Sequence, residues 1–294
     1  MEPKTELEKI AKIWQIQLNL EYSNPKKNVR LAFKDIGAFA ELMALDYAKG
    51  FVGSGSGGMG FDLVNYSTHK AIEVKSCCTI QNSICADSSC GTKFNSLFVN
   101  KCPKCQKNEY KTIADSRFGI DAKEFLSQYT KNMLQGFYFC YVSLESYNKE
   151  TTNIKILLKW FKLEFNDSRI KKIQLEYFET QKAKGKGHCN LLPCSFDFYK
   201  LAPTPVSEVT MSFPVNDLSQ NPVIQEQKIT QPLRVCLDVM HNEKEREAFK
   251  KLVSYDDETK TAEIIDFTTH IPYAKKSLGK KRGDTRRKVY RSLE

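Results

Sequence analysis

The sequence predicts an α/β fold, a central sheet flanked by helices. Two amphipathic stretches near the N-terminus carry apolar residues at helical spacing, over residues 4–20 and from about Lys34 to Lys49. After them, apolar runs of strand length alternate with a third helical pattern: Phe61–Val64, Ala71–Lys75, Phe137–Val142 and Ile154–Phe165, with a helix over Asp121–Leu134 between the second and third. At 294 residues, with 41% hydrophobic and 27% charged content, the chain is long and apolar enough to bury a full core. It predicts one large unit over residues 1–203, a linker over 204–232 and a small basic C-terminal region over 233–294.

The first helix takes its stripe from Leu7, Ile10, Ile13, Trp14 and Leu18, and Tyr22-Ser23-Asn24-Pro25 ends it. The second buries Ile36, Phe39, Ala40, Met43 and Tyr47, with Gly50 as its stop. Glu41 lies off that stripe, beside the small residues Gly37, Ala44 and Ala48. The loop Gly53-Ser54-Gly55-Ser56-Gly57-Gly58-Met59-Gly60 lacks the Lys-Ser/Thr ending of a P-loop and feeds a strand, which excludes a nucleoside triphosphate site of that kind. It is either a plain linker or a loop that lets a phosphate backbone approach closely.

Two short strands follow, joined by the polar turn Asn65-Tyr66-Ser67-Thr68-His69-Lys70. Side chains alternate along a strand, so Glu73 and Lys75 share one face while Ile72 and Val74 enter a core. Pairing of the two strands brings Asp62 alongside Glu73. Two neighbouring carboxylates repel unless a cation lies between them, and a hard ion such as Mg²⁺ prefers oxygen ligands. A lysine beside that ion can orient a water and stabilise charge on a phosphate displaced in line.

Four cysteines come next: Cys85 and Cys90, then Cys102-Pro103-Lys104-Cys105. Two cysteine pairs, the second a CxxC, predict a closed, structural Zn²⁺ site, with Cys77 or Cys78 as substitutes for Cys85. Lys101, Lys104, Lys107 and Lys111 make this segment basic. Gly136 is read as the end of the third helix, and Cys140 as a core residue of the strand after it. Residues 170–203 interleave lysines with Tyr177, Phe178, Phe196, Phe198 and Tyr199 over a glycine-bearing loop, Lys184-Gly185-Lys186-Gly187-His188, which is either a surface that touches DNA through Lys184, Lys186 and His188 or a solvated loop between two structured pieces. His188, Cys189 and Cys194 form no metal pattern. Beyond the proline-bearing stretch 204–232, Asn242 and Glu245 read as a capping box for a helix with Phe249, Leu252 and Val253 on its apolar side, and Thr261–Phe267 as a short element. The chain closes on Lys280, Lys281, Arg282, Arg286 and Arg287 within a run opposed only by Asp284, either a DNA-reading unit or a basic tail.

The acid Asp62 followed by Glu73-Val74-Lys75 resembles the PD-(D/E)xK nuclease superfamily, which includes most type II restriction endonucleases. Asp62 matches the first acid, Glu73 the second and Lys75 the lysine; Phe61 stands where the family often has proline. The resemblance implies a mixed central sheet of the restriction-endonuclease type, Mg²⁺ held by Asp62 and Glu73, Lys75 acting on the attacking water, and Glu41 as an additional carboxylate. It also implies cleavage of double-stranded DNA to 5′-phosphate ends. The cysteine segment resembles a zinc ribbon inserted over about 77–112. Symmetric DNA sites would favour a homodimer. A repair or junction-resolving nuclease on the same core, and a non-catalytic zinc-dependent nucleic-acid-binding protein, are the alternatives.

The net charge of +10 with pI near 9.0 favours a polyanionic partner. No apolar run approaches membrane-spanning length, and Met-Glu-Pro-Lys-Thr-Glu lacks the layout of a signal peptide. A cytoplasmic protein is therefore expected, and its 10 cysteines are expected to bind metal or be buried rather than form disulfides.

Overall fold

A computed structural model describes residues 5–24, 31–54, 61–80, 83–94, 97–112, 117–131, 133–165, 168–183, 188–191, 193, 198, 201, 203–228, 253–256, 261–264 and 288–290. In chain order the elements are α1 (Glu6–Ser23), α2 (Ile36–Ala44), β1 (Val52–Gly53), β2 (Leu63–Asn65), β3 (Lys70–Cys78), β4 (Ser83–Cys85), β5 (Lys93–Phe94), β6 (Tyr110–Thr112), β7 (Phe118–Asp121), α3 (Ala122–Thr130), β8 (Leu134–Asn148), β9 (Asn153–Glu164), α4 (Ser168–Ala183), β10 (His188–Leu191), β11 (Thr204–Pro214), β12 (Val223–Lys228), β13 (Val253–Asp256), β14 (Thr261–Ile264) and β15 (Lys288–Tyr290). The architecture is α/β: a seven-stranded mixed sheet, ordered β1-β2-β3-β8-β9-β11-β12, with helices on both faces. Only the β3–β8 pairing is parallel in this sheet. The long connection carrying β7 and α3 makes that parallel return possible.

Each face has its own core. Ile10, Trp14 and Leu18 of α1, with Ala40, Met43 and Ala44 of α2, pack on Ile72, Val74, Ile156, Leu158, Trp160, Met211 and Phe213. Spacings of four residues along α1 set its buried side chains one above another. The capping box of Thr5 and Glu8 fixes its start. On the other face Phe125 of α3 and Tyr177 and Phe178 of α4 cover Phe137, Phe139, Phe161 and Leu163. Full burial of an aromatic of this kind contributes roughly 2–3 kcal/mol.

The structure corrects several expectations. Residues 204–228 are no linker: Thr204–Pro214 is a strand paired along its length with β9, and Val223–Lys228 pairs beside it. Of the prolines that suggested a linker, Pro205 lies at a register shift of the strand and Pro214 at its last pair, where a missing N–H is tolerated; Pro222 directly precedes Val223, and Pro232 lies outside the described residues. Between them Val209, Met211 and Phe213 alternate inward. The third helix stops at Thr130, and Leu134 and Gly136 belong to β8. Gly136 is demanded by space: a Cβ there would run into the Leu163 carbonyl of β9. The basic–aromatic stretch is not a loop at its start, because Ser168–Ala183 is helical and Tyr177, Phe178 and Phe198 are buried. Ile13 is largely exposed rather than part of the α1 stripe, and Ala44, placed beside Glu41 in sequence, is buried. Val253 lies in a strand, not a helix. The expected capping box at Asn242 lies outside the described residues. Among the described residues no helix is long and apolar enough to cross a membrane.

Candidate functional site: an acid–lysine hairpin and a four-cysteine cluster

The β2–β3 hairpin pairs Leu63 with Ile72 and Val64 with Ala71. Leu63 and Ile72 enter one core and Val64 and Ala71 the other, so the register is locked by burial on both sides. One step beyond Leu63 stands Asp62. Its carbonyl accepts the Ser54 N–H at 3.0 Å, and its carboxylate Oδ2 accepts the Val74 N–H at 2.7 Å. The Ser54 hydroxyl donates to the Phe61 carbonyl, closing the two ends of the glycine-rich loop. The first acid is thus fixed in main chain and side chain against the strand that carries the second.

Glu73 and Lys75 are both half-buried and form an ion pair with each other on the face predicted by alternation. Burial is the main reason the Glu73 carboxyl is pushed up to about 7. The Lys75 ammonium and its hydrogen bond oppose that push, while the charges of Asp62 and Glu124 add to it. Glu41 on α2 is raised as well, first by burial and then by Asp62, with Lys75 opposing. The fold therefore brings Glu41, Asp62, Glu73 and Lys75 into one electrostatic neighbourhood. Their carboxylates do not converge as the cysteines do: among the described residues only the cysteine group has three or more ligand atoms within 4.8 Å of one another. Glu124 was missed in the sequence. It sits in the first turn of α3, capped by Asp121, whose Oδ1 accepts the Lys123 and Glu124 N–H groups at 2.8 and 2.9 Å. The signal available was Asp121 itself, which fixes where that helix begins.

The second constellation is the set Cys85, Cys90, Cys102 and Cys105. Cys85 is on β4; β5 and β6 flank that strand in a small sheet ordered β15-β6-β4-β5. Cys85 Sγ lies 3.4 Å from Cys105 Sγ, and Cys90 Sγ 3.6 Å from Cys102 Sγ. A tetrahedral thiolate site with metal–sulfur bonds of about 2.3 Å sets its sulfurs roughly 3.8 Å apart, close to these separations. Cys77 is buried under the sheet and Cys78 stays on β3, so neither replaces Cys85. No disulfide joins the described cysteines. Burial pushes the Cys85 thiol up to about 12, while hydrogen bonds from Thr92 bring the Cys90 thiol down to about 6. Leu97 and Phe98 tie the insertion to the main core, Phe98 meeting Tyr22 of α1 and Tyr147 of β8 edge to face.

The basic residues singled out in the sequence are placed only in part. Lys107 pairs with Asp87 at 2.5 Å. His188 starts β10, opposite Asp121. Lys184, Lys186, Lys280, Lys281, Arg282, Arg286 and Arg287 lie outside the described residues. No family profile, curated protein or solved structure matches this chain.

Proposed function

We propose that the protein is a Mg²⁺-dependent DNA endonuclease of the type II restriction kind, hydrolysing phosphodiester bonds in double-stranded DNA to leave 5′-phosphates. The observation that carries this reading is the hairpin: an acid hydrogen-bonded to the neighbouring strand, and a second acid on that strand ion-paired to a lysine two residues on. Hard oxygen donors on adjacent strands, one of them pushed up to about 7, suit a divalent cation better than they suit each other. Asp62 and Glu73 would hold the ion, which supplies Lewis-acid stabilisation of the charge that develops on phosphate. Lys75, ion-paired to Glu73 beside that position, would place its ammonium to orient the attacking water and stabilise charge on the phosphate oxygens. Glu41, close enough to feel the charges of Asp62 and Lys75, would add a further carboxylate for that ion.

The four-cysteine cluster takes Zn²⁺, on its all-sulfur donor set and on two sulfur–sulfur separations close to those of a tetrahedral site; among the described residues no fifth donor joins the group. Its role is structural, because four thiolates leave no open position for substrate. The net charge of +10 supports a nucleic-acid partner. A zinc-dependent DNA-binding protein without catalysis is the second reading, favoured by the failure of Glu41, Asp62 and Glu73 to converge as ligands. Incubation of plasmid and branched substrates with Mg²⁺ or Mn²⁺ separates the readings. Discrete duplex cuts support restriction-type cleavage, cuts confined to branches support a junction enzyme, and uncut DNA that is nevertheless bound supports the second reading.

A further inference from the structure

The turn that joins β2 to β3 is built against local economy. The Asn65 side chain accepts the N–H groups of Ser67 and Thr68, both at 3.0 Å, so the tip is held in one shape. At a site where small polar residues serve, the chain places Tyr66 with 61% of its surface exposed, the largest value among the large hydrophobic residues described. His69 adopts φ 53°, the left-handed region where glycine or asparagine is cheaper. Lys70 follows as the first residue of β3. Ser67, Thr68 and His69 are exposed with Tyr66. An aromatic ring, an imidazole and two hydroxyls thus project from a rigid tip whose two arms carry Asp62 and Glu73.

We propose that this tip is a DNA contact: Tyr66 packs its ring on a nucleotide and His69 reaches the adjoining phosphate. The proposal rests on the reading of the hairpin as the acid-bearing element of a DNA enzyme, and it extends that reading to the substrate track. Tyr66 stands four residues from Asp62, so at roughly 3.3 Å per residue the chain holds the two within about 13 Å of each other. Duplex DNA rises about 3.4 Å per base pair, so a contact that near falls within a few base pairs of the phosphate at the acids. Because the tip is already ordered, binding costs little conformational entropy. Its surface suits DNA rather than an apolar partner, since the exposed neighbours of Tyr66 in the turn, Ser67, Thr68 and His69, are polar and the chain carries a net charge of +10.

The test is binding of a short fluorescent duplex, and of its separated strand, to the full-length Lys75→Ala protein, in which cleavage does not interfere. Tyr66→Ala weakens duplex binding about tenfold, a loss of about 1.4 kcal/mol, without lowering the thermal midpoint. Tyr66→Phe restores the affinity. His69→Gly leaves stability equal or higher, because the strained φ is relieved, yet weakens binding. Tyr66→Ala binding DNA as tightly as its parent overturns the proposal, as does a parent that binds no DNA. If Tyr66→Ala weakens binding but the wild-type protein cuts nothing, the tip contact stands and the catalytic reading falls.

Discussion

Lys75 is the residue on which the proposed chemistry turns, since it is the cation held against the Glu73 carboxylate. Its replacement by alanine is expected to lower cleavage at least about a thousandfold, the scale of losing a preorganised charge at a phosphate transition state, while DNA affinity stays within a few-fold. Electrophoresis of cleaved plasmid and a parallel binding titration measure the two effects. Glu73 gives a second prediction through its proton. Its carboxyl is raised to about 7, above the ordinary carboxylate value of 4.5, so between those limits the folded protein holds a proton that the unfolded chain has released. Metal-free stability from this group is therefore present at low pH and is lost as pH rises through about 7. Divalent cations must displace the same proton, so Mn²⁺ affinity rises with pH by up to about tenfold per unit below 7 and levels above it. Calorimetric titration across that window reads the trend; a flat profile would remove Glu73 from the ligand set. These residues were legible in the sequence because strand alternation alone puts Glu73 and Lys75 on one face. The hydrogen bond that anchors Asp62 to Val74 was not legible, since a backbone donor leaves no trace in residue type.

Elements differ in how plainly the sequence announced them. β3 and β9 carry regular apolar periods and occur near their expected places, whereas α2 is shorter than expected, ending at Ala44 with Leu45 as its C-cap, so Gly50 is not its stop. β11 was hidden because its terminal prolines resembled turn signals, although its interior alternates cleanly. β8 begins earlier than expected because Gly136 acts through close strand approach and not as a helix stop. Gly136→Ala should therefore lower stability by about 1–3 kcal/mol through overpacking against β9. Urea unfolding checks this; a change below a few tenths would mean that β9 yields without cost. The cysteine insertion was legible from its CxxC pair, and its small core of Cys85, Phe94 and Cys102 is separate from the two main cores. Metal removal should accordingly unprotect amides of β4, β5 and β6 while those of β8 and β9 stay protected, as followed by hydrogen exchange. Zinc content in the Cys102→Ser, Cys105→Ser double variant should fall to near zero. Full occupancy there would refute the four-sulfur ligand set.

At the scale of the molecule, the seven-stranded sheet separates two apolar layers, and the acid hairpin lies at one side of it with β1 as the edge. The α/β class followed from element order in the sequence, but the width of the sheet did not, because β11 and β12 were read as a linker. A chain of net charge +10 should bind DNA with an affinity that falls linearly on a log–log plot against salt, as displaced counterions require. The most direct test of the central claim is digestion of a sequenced plasmid with Mg²⁺ by the wild-type and Lys75→Ala proteins, with the ends mapped. Asp62, Glu73 and Lys75 acting together predict discrete fragments bearing 5′-phosphates from the wild type and intact plasmid from the variant. Equal cutting by both proteins, or none by either under any divalent metal, would contradict it.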